Sequence, residues 1–283
     1  MKTNRDRSTW FSRVVAGGVV RWRSQPRNSR QGRLPLRCSA RWVLLAWGFV
    51  ACGLNGSAEL LIHYTFDESG PCISNHGSLG PTAELRMYDG IGVNAELRTD
   101  ESGGWRSRAL RLAPTHGEFG SFAHSLPLAL KLTRGLTITG WIRLTEWRGG
   151  AFILRNAHQA NGFNLLLGEN GALVLSISGT EVASAAGSFP IQEWIFFAAT
   201  WSPSREGAGV VAFYRGVPSS DSRLVAVGHG VGGESVGDAG VALILGNSGN
   251  KDHPLHGSID NFRIYNEALD IEQLETVRKS AAP

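Results

Sequence analysis

The chain is poor in cysteine, in charge and in long apolar runs, and each shortage removes a class of protein. Its 283 residues include three cysteines, and 18% of them are charged. Cys38 falls in a basic leader and Cys52 in an apolar run, so a mature chain beginning near Glu59 keeps Cys72 alone. That leaves no internal disulfide, and Cys72 reads as a small buried or half-buried filler. The apolar run, Trp42 to Leu54, is 13 residues long, whereas crossing ~30 Å of hydrocarbon takes about 20. Neither a Gly-x-Ser-x-Gly elbow nor a glycine-rich phosphate loop precedes a helix, so serine-hydrolase and nucleotide chemistry lack support. The eight histidines form no metal-binding pair on one recognisable element, and no zinc site is expected.

What charge there is sits unevenly. Residues 1–58 hold 11 of the 28 Lys and Arg and a single acid, Asp6, which leaves 17 basic and 23 acidic residues, net −6, in the remainder. A mildly acidic domain without a Lys/Arg cluster repels phosphate backbones, so nucleic acid is excluded as a partner. Arg37 and Arg41 ahead of the apolar run, and Gly56 and Ala58 after it, follow signal-peptide grammar with cleavage after Ala58. The expected location is therefore secreted, periplasmic or cell-surface, with no membrane insertion after cleavage; lipidation at Cys52 is a minor alternative. The long Arg-rich leader lacks apolar periodicity and reads as disorder or as an over-extended start.

Glycine is abundant, at 36 residues, and aromatics make up 9%, a balance suited to many short strands and tight turns. From Leu60 onward, short apolar or alternating runs recur between Gly, Pro, Asn and Ser, twelve in all and too many for a simple immunoglobulin sandwich. In Leu136 to Ile142, Leu136, Ile138 and Ile142 share a core face, while Thr137 and Thr139 share one that is only partly covered. Trp194 to Trp201 is apolar on both faces, which predicts a central strand with its tryptophans in the core. Gly168-Glu169-Asn170-Gly171 and Arg215-Gly216-Val217-Pro218 read as hairpin turns, and Gly228 to Gly240 as a mobile loop. One helix is predicted, from Asp270 to Lys279, capped by Asp270 and packed as a terminal plug, with Glu267, Asp270, Glu272 and Glu275 on its solvated face.

An ordered series of these stretches resembles the laminin-G-like jelly-roll family, within the concanavalin A-like lectin and glucanase superfamily. The opening Tyr64-Thr65-Phe66-Asp67-Glu68-Ser69-Gly70 and Asn75-His76-Gly77 are similar to that family's first strand, acidic turn and Asn-x-Gly loop. The resemblance continues through Ala109 to Leu112, Leu136 to Arg143 and Glu193 to Trp201. It closes with Leu243 to Asn247 and Gly257 to Leu269, the latter reading Gly-Ser-Ile-Asp-Asn-Phe-Arg-Ile-Tyr-Asn-Glu-Ala-Leu. It implies an all-β fold: a two-sheet antiparallel sandwich over residues 59–283 whose last strand returns beside its first, with a short C-terminal helix.

The resemblance also implies a structural Ca²⁺ near the first strand, for which Asp67, Asn75 and Asp260 are the candidate ligands. The Glu-x-Asp-x-x-Glu strand of hydrolases sharing the sandwich is absent, so catalysis is not expected. Sugar recognition wants an exposed aromatic face beside amide and charged hydrogen-bonders; Trp105, Trp147, Arg148, His158 and Asn161 fit that recipe. The expected role is a secreted module binding a glycan or another extracellular ligand such as a protein. A structural or adhesion component of a surface assembly is the alternative, and a glycoside hydrolase the least favoured reading.

Overall fold

The computed structural model describes residues 58–70, 72–87, 89–90, 93–94, 96–99, 107–112, 121–130 and 132–280. The leader, its apolar run and Trp105 lie outside the described residues. In chain order the strands are β1 (Leu60–Tyr64), β2 (Cys72–Ile73), β3 (Leu85–Met87), β4 (Asp89–Gly90), β5 (Val93–Asn94), β6 (Glu96–Thr99), β7 (Arg108–Leu112), β8 (Ala123–Pro127) and β9 (Leu136–Leu144). They continue as β10 (Phe152–His158), β11 (Asn161–Leu167), β12 (Leu173–Ile177), β13 (Thr180–Ala183), β14 (Trp194–Ser204), β15 (Gly207–Gly216), β16 (Val225–Val231), β17 (Ala242–Leu245) and β18 (Gly257–Tyr265), before the helix α1 (Ile271–Ser280). Among the described residues no helix is long and apolar enough to cross a membrane.

Two antiparallel sheets stack as a jelly-roll sandwich. One has the order β16-β15-β14-β9-β18-β7-β6, with β1 also on β18; the other has the order β13-β12-β11-β10-β17-β8-β3-β2. The first strand pairs with the last, Tyr64 opposite Phe262 and His63 opposite Arg263. A one-residue kink at Asn261, whose φ is 47°, shifts the β18 register between Asp260 and Arg263.

Alternation along β14 explains why it is central. Ile195, Phe197, Ala199 and Trp201 join the core between the sheets. Trp194, Phe196 and Ala198 join a second cluster on the outer face with Trp141, Tyr265, Leu269 and Leu274. With β9 on one side and β15 on the other, every residue from Trp194 to Trp201 is buried. Gly140 lies opposite Phe197 because a Cβ there would stand 3.1 Å from the phenyl ring.

The outer face departs from the sequence expectation. Thr137 and Thr139 are fully buried instead of partly covered. The segment after β18 returns across this face: the Thr137 hydroxyl donates to Glu267 O (2.6 Å) and accepts from Leu269 N–H (2.8 Å). The Asp270 carboxylate accepts from Gln273 N–H, and the Gln273 amide oxygen accepts from Asp270 N–H, a reciprocal box that opens α1.

Glu275 also departs from a solvated helix face. Its carboxylate grips Arg278, whose side chain is fully buried, through Nε (2.8 Å) and Nη2 (3.0 Å). The other donors of Arg278 go to Val217 O, Ser219 O and Ser222 O, so the loop between β15 and β16 is bolted to α1. That connection is longer than a tight turn at Gly216 would be, and β16 runs into the glycine-rich stretch as far as Val231.

Cys72 is a further correction. It is half-buried on β2 as expected, yet it is disulfide-bonded, and its partner is not among the described residues.

Candidate functional site

One end of the sandwich gathers the β9–β10 loop, the segment leading into β18, and the turns around Gly171 and Phe189. Pairing puts them together. Gly257 at the start of β18 lies opposite Leu144 at the end of β9, so His256 falls beside Thr145 and Glu146, and Thr145 N–H donates to His256 O at 3.0 Å.

Trp147 sits at the centre of this end and is 46% exposed. Its indole N–H donates to Phe189 O at 2.8 Å. Beneath the ring lies Gly171, at φ 71°, where a Cβ would approach both Trp147 Nε1 and Phe189 O to 2.8 Å. The indole is thus held from below by backbone alone, with much of its surface left to solvent. Gly171→Ala is expected to cost about 1–3 kcal/mol through left-handed backbone strain in a non-glycine residue and to unseat Trp147. Urea denaturation checks this: an unchanged midpoint would mean that the fit under the ring is loose.

The flanking side chains converge on one histidine. His256 is buried; its Nδ1 lies 2.5 Å from Glu146 Oε1 and its Nε2 3.3 Å from Arg148 Nη1. Burial pushes its pKa down, with the Arg148 charge acting in the same direction and Glu146 against it. Neutral imidazole fits both contacts only as the Nδ1–H tautomer, donating to Glu146 and accepting from Arg148. Nearby, His253 packs its ring edge to face against Phe152, and its Nδ1 meets Asp252 Oδ1 at 2.7 Å. The same Asp252 oxygen accepts from the Ser248 hydroxyl. These hydrogen bonds, that from Ser248 foremost, draw the Asp252 carboxyl down to about 2.

The sequence-predicted ligand residues fall into two groups. Trp147 and Arg148 belong to this end. His158 and Asn161 pair across the β10–β11 hairpin at the opposite end of β10, both exposed; six strand steps separate them from Phe152 by about 20 Å. Trp105 lies outside the described residues. The structure therefore brings together Trp147 and Arg148, and joins to them Glu146, His256, His253 and Asp252, which the sequence reading did not nominate.

Each calcium candidate accepts hydrogen bonds from the protein. Asn75 Oδ1 accepts from His63 N–H (2.8 Å) and Gly77 N–H (2.9 Å), and its amide N–H donates to Leu61 O, so the side chain is committed to its own loop. Asp67 is exposed and accepts from the Ser107 hydroxyl; Asp260 is fully buried and accepts from Asn261 N–H. His63 is pushed down to about 4 by burial and then by the Arg263 guanidinium. Among the described residues no three His, Cys, Asp or Glu side chains are grouped to hold a metal ion.

Solved structures with the same architecture are distant in sequence. The botulinum neurotoxin serotype D binding domain superposes with a TM-score of 0.55 at 14% identity, over 78% of this chain and 52% of that one. The binding domain of botulinum neurotoxin DC in complex with rat synaptotagmin II gives 0.53 at 11%, over 79% and 52%. An arabinofuranosidase complexed with arabinofuranosyl-α-1,2-xylobiose gives 0.55 at 11%, over 75% and 50%. The chain spans about half the length of each, and at these identities the likeness establishes the fold alone. No curated protein matches the sequence. The family model for the concanavalin A-like lectin/glucanases superfamily, Laminin_G_3, matches residues 117–275, more than half of the chain. With its two stacked sheets and its last strand against its first, the chain belongs to the Laminin_G_3 family of the concanavalin A-like lectin/glucanases superfamily.

Proposed function

We propose that this protein is a non-catalytic binding module whose ligand is an extracellular glycan, held on the surface centred on Trp147. The observation that carries this reading is the seating of the Trp147 indole. A half-exposed aromatic ring fixed by its own N–H and by a glycine floor presents a rigid apolar face, with Arg148, Glu146 and His253 around it to read hydroxyl groups. Export is part of the same proposal.

The carboxylates of this end argue against a hydrolase. Glu146 is engaged by His256, and Asp252 is drawn to about 2, away from the raised pKa that a general acid needs. Among the structural neighbours, both toxin binding domains and an arabinofuranosidase share the fold, so the site and not the fold decides.

A glycan array probed with the full chain tests the proposal. Saturable binding to a subset of glycans, absent from Trp147→Ala, is the expected result. Silence across the array would overturn the glycan reading and favour a structural or adhesion role in a surface assembly.

A further inference from the structure

The two residues that flank Trp147 end on opposite nitrogens of one buried imidazole. Glu146 takes Nδ1 and Arg148 faces Nε2, while Trp147 between them is anchored separately, to Phe189 O. His256 comes from a distant part of the chain, 108 residues beyond Arg148, and β-pairing fixes its backbone through Thr145. One side chain thus ties both shoulders of the Trp147 loop to the sheet.

We propose that His256 is an acid-sensitive clamp on the Trp147 loop: neutral, it holds Arg148 and the indole in place, and protonated, it expels Arg148 and loosens the platform. This rests on the Trp147 surface being the binding site only for its biological meaning, because the clamp itself is a property of the free protein.

The chemistry follows from donor counting. Neutral His256 with its proton on Nδ1 offers Nε2 as an acceptor to the Arg148 guanidinium, which has donors only. Protonation puts an N–H on Nε2, so two cationic donors face each other at 3.3 Å. The contact to Glu146 survives and gains charge. Acid therefore releases the Arg148 shoulder and spares the Glu146 one, leaving the loop held on one side.

The surroundings keep the imidazole neutral near pH 7. Burial and Arg148 lower its pKa and Glu146 opposes them. Other charged groups on the packed elements are otherwise engaged. Arg143, on β9, bonds Gln192 Oε1, and Asp252 and His253, on the same segment as His256, bond each other. Protonation thus falls below the ordinary histidine value of 6.5.

The test is a pH titration of the full chain by ¹H–¹⁵N NMR, following the His256 ring nitrogens and the indole N–H of Trp147, the latter assigned by its loss in Trp147→Phe. The expected result at pH 7.5 is a neutral His256 carrying its proton on Nδ1. On acidification the Trp147 indole signal should move with the same midpoint as His256, below pH 6.5. His256→Gln supplies an N–H for Glu146 and an oxygen for Arg148 without titrating, so its Trp147 signal should hold its neutral-pH position down to pH 4.5. A Trp147 signal that stays fixed while His256 titrates, or one that titrates alike in His256→Gln, would overturn the clamp. Glycan binding is not read here, so the clamp and the glycan proposal fail independently.

Discussion

Replacing Arg278 with alanine is expected to destabilise the protein by about 3–5 kcal/mol, the cost of removing one partner from a buried ion pair. The fully buried guanidinium uses its donors on Glu275 and on three carbonyls of the β15–β16 loop. Without it, Glu275 and those carbonyls face each other across the space it leaves. The same pair makes stability depend on pH. The Arg278 hydrogen bond holds the Glu275 carboxyl below its ordinary value of 4.5, so its contribution is complete above that value and fades as pH falls through the lowered one. Urea unfolding of both proteins at pH 7 and at pH 3 checks this. The variant should lose most at pH 7, and the gap should narrow in acid. An equal and small gap at both values would show that α1 is held by its apolar face alone.

The second large effect is expected in the core. Phe262 is fully buried between Tyr64, 6.3 Å away ring to ring, and Phe197, at 6.5 Å. It joins the last strand to the first and both to the central β14. Phe262→Ala should cost about 3–5 kcal/mol, the usual range for a fully buried phenylalanine. The loss should appear as a lower midpoint with an unchanged urea slope, because the folded and unfolded surfaces stay nearly the same. A loss below about 1 kcal/mol would mean that β1 and β18 do not share one core.

These two residues also mark where sequence reasoning succeeds and where it stops. Phe262 sits in an alternating run, and the pattern Ile259, Phe262, Ile264 with one slipped step is what a bulged, half-buried strand must show. The doubly apolar run at Trp194 to Trp201 likewise became the central strand it predicts. Short hydrophobic periodicity survives folding because it is the folding signal. Arg278 is different: its partners are Glu275, one turn away, and carbonyls 56 to 61 residues distant. Carbonyls carry no residue identity, so the acids of α1 read as a wet face. The short strands β2 to β6 are illegible for a related reason, since two to four residues hold too little periodicity to stand out.

The site was half legible. Trp147 and Arg148 stood out because Gly149 and Gly150 directly after them place them in a loop, where a core role is not forced. Their grouping with His158 and Asn161 dissolves once β10 is seen to run between the two pairs. Nothing local announces His256 as the residue that joins Glu146 and Arg148, because its place there is set by the β9–β18 register. Recognising it required the strand order, and strand order is the part of a sandwich that alternation leaves open.

The central claim is that the fixed indole of Trp147 is a binding platform. Its most direct measurement is the affinity of wild type and Trp147→Ala for the strongest glycan found on the array, by isothermal titration. A drop of at least tenfold, about 1.4 kcal/mol, with the unfolding midpoint of the variant within a few degrees of wild type, is the predicted result. Equal affinity in a stably folded variant would contradict it.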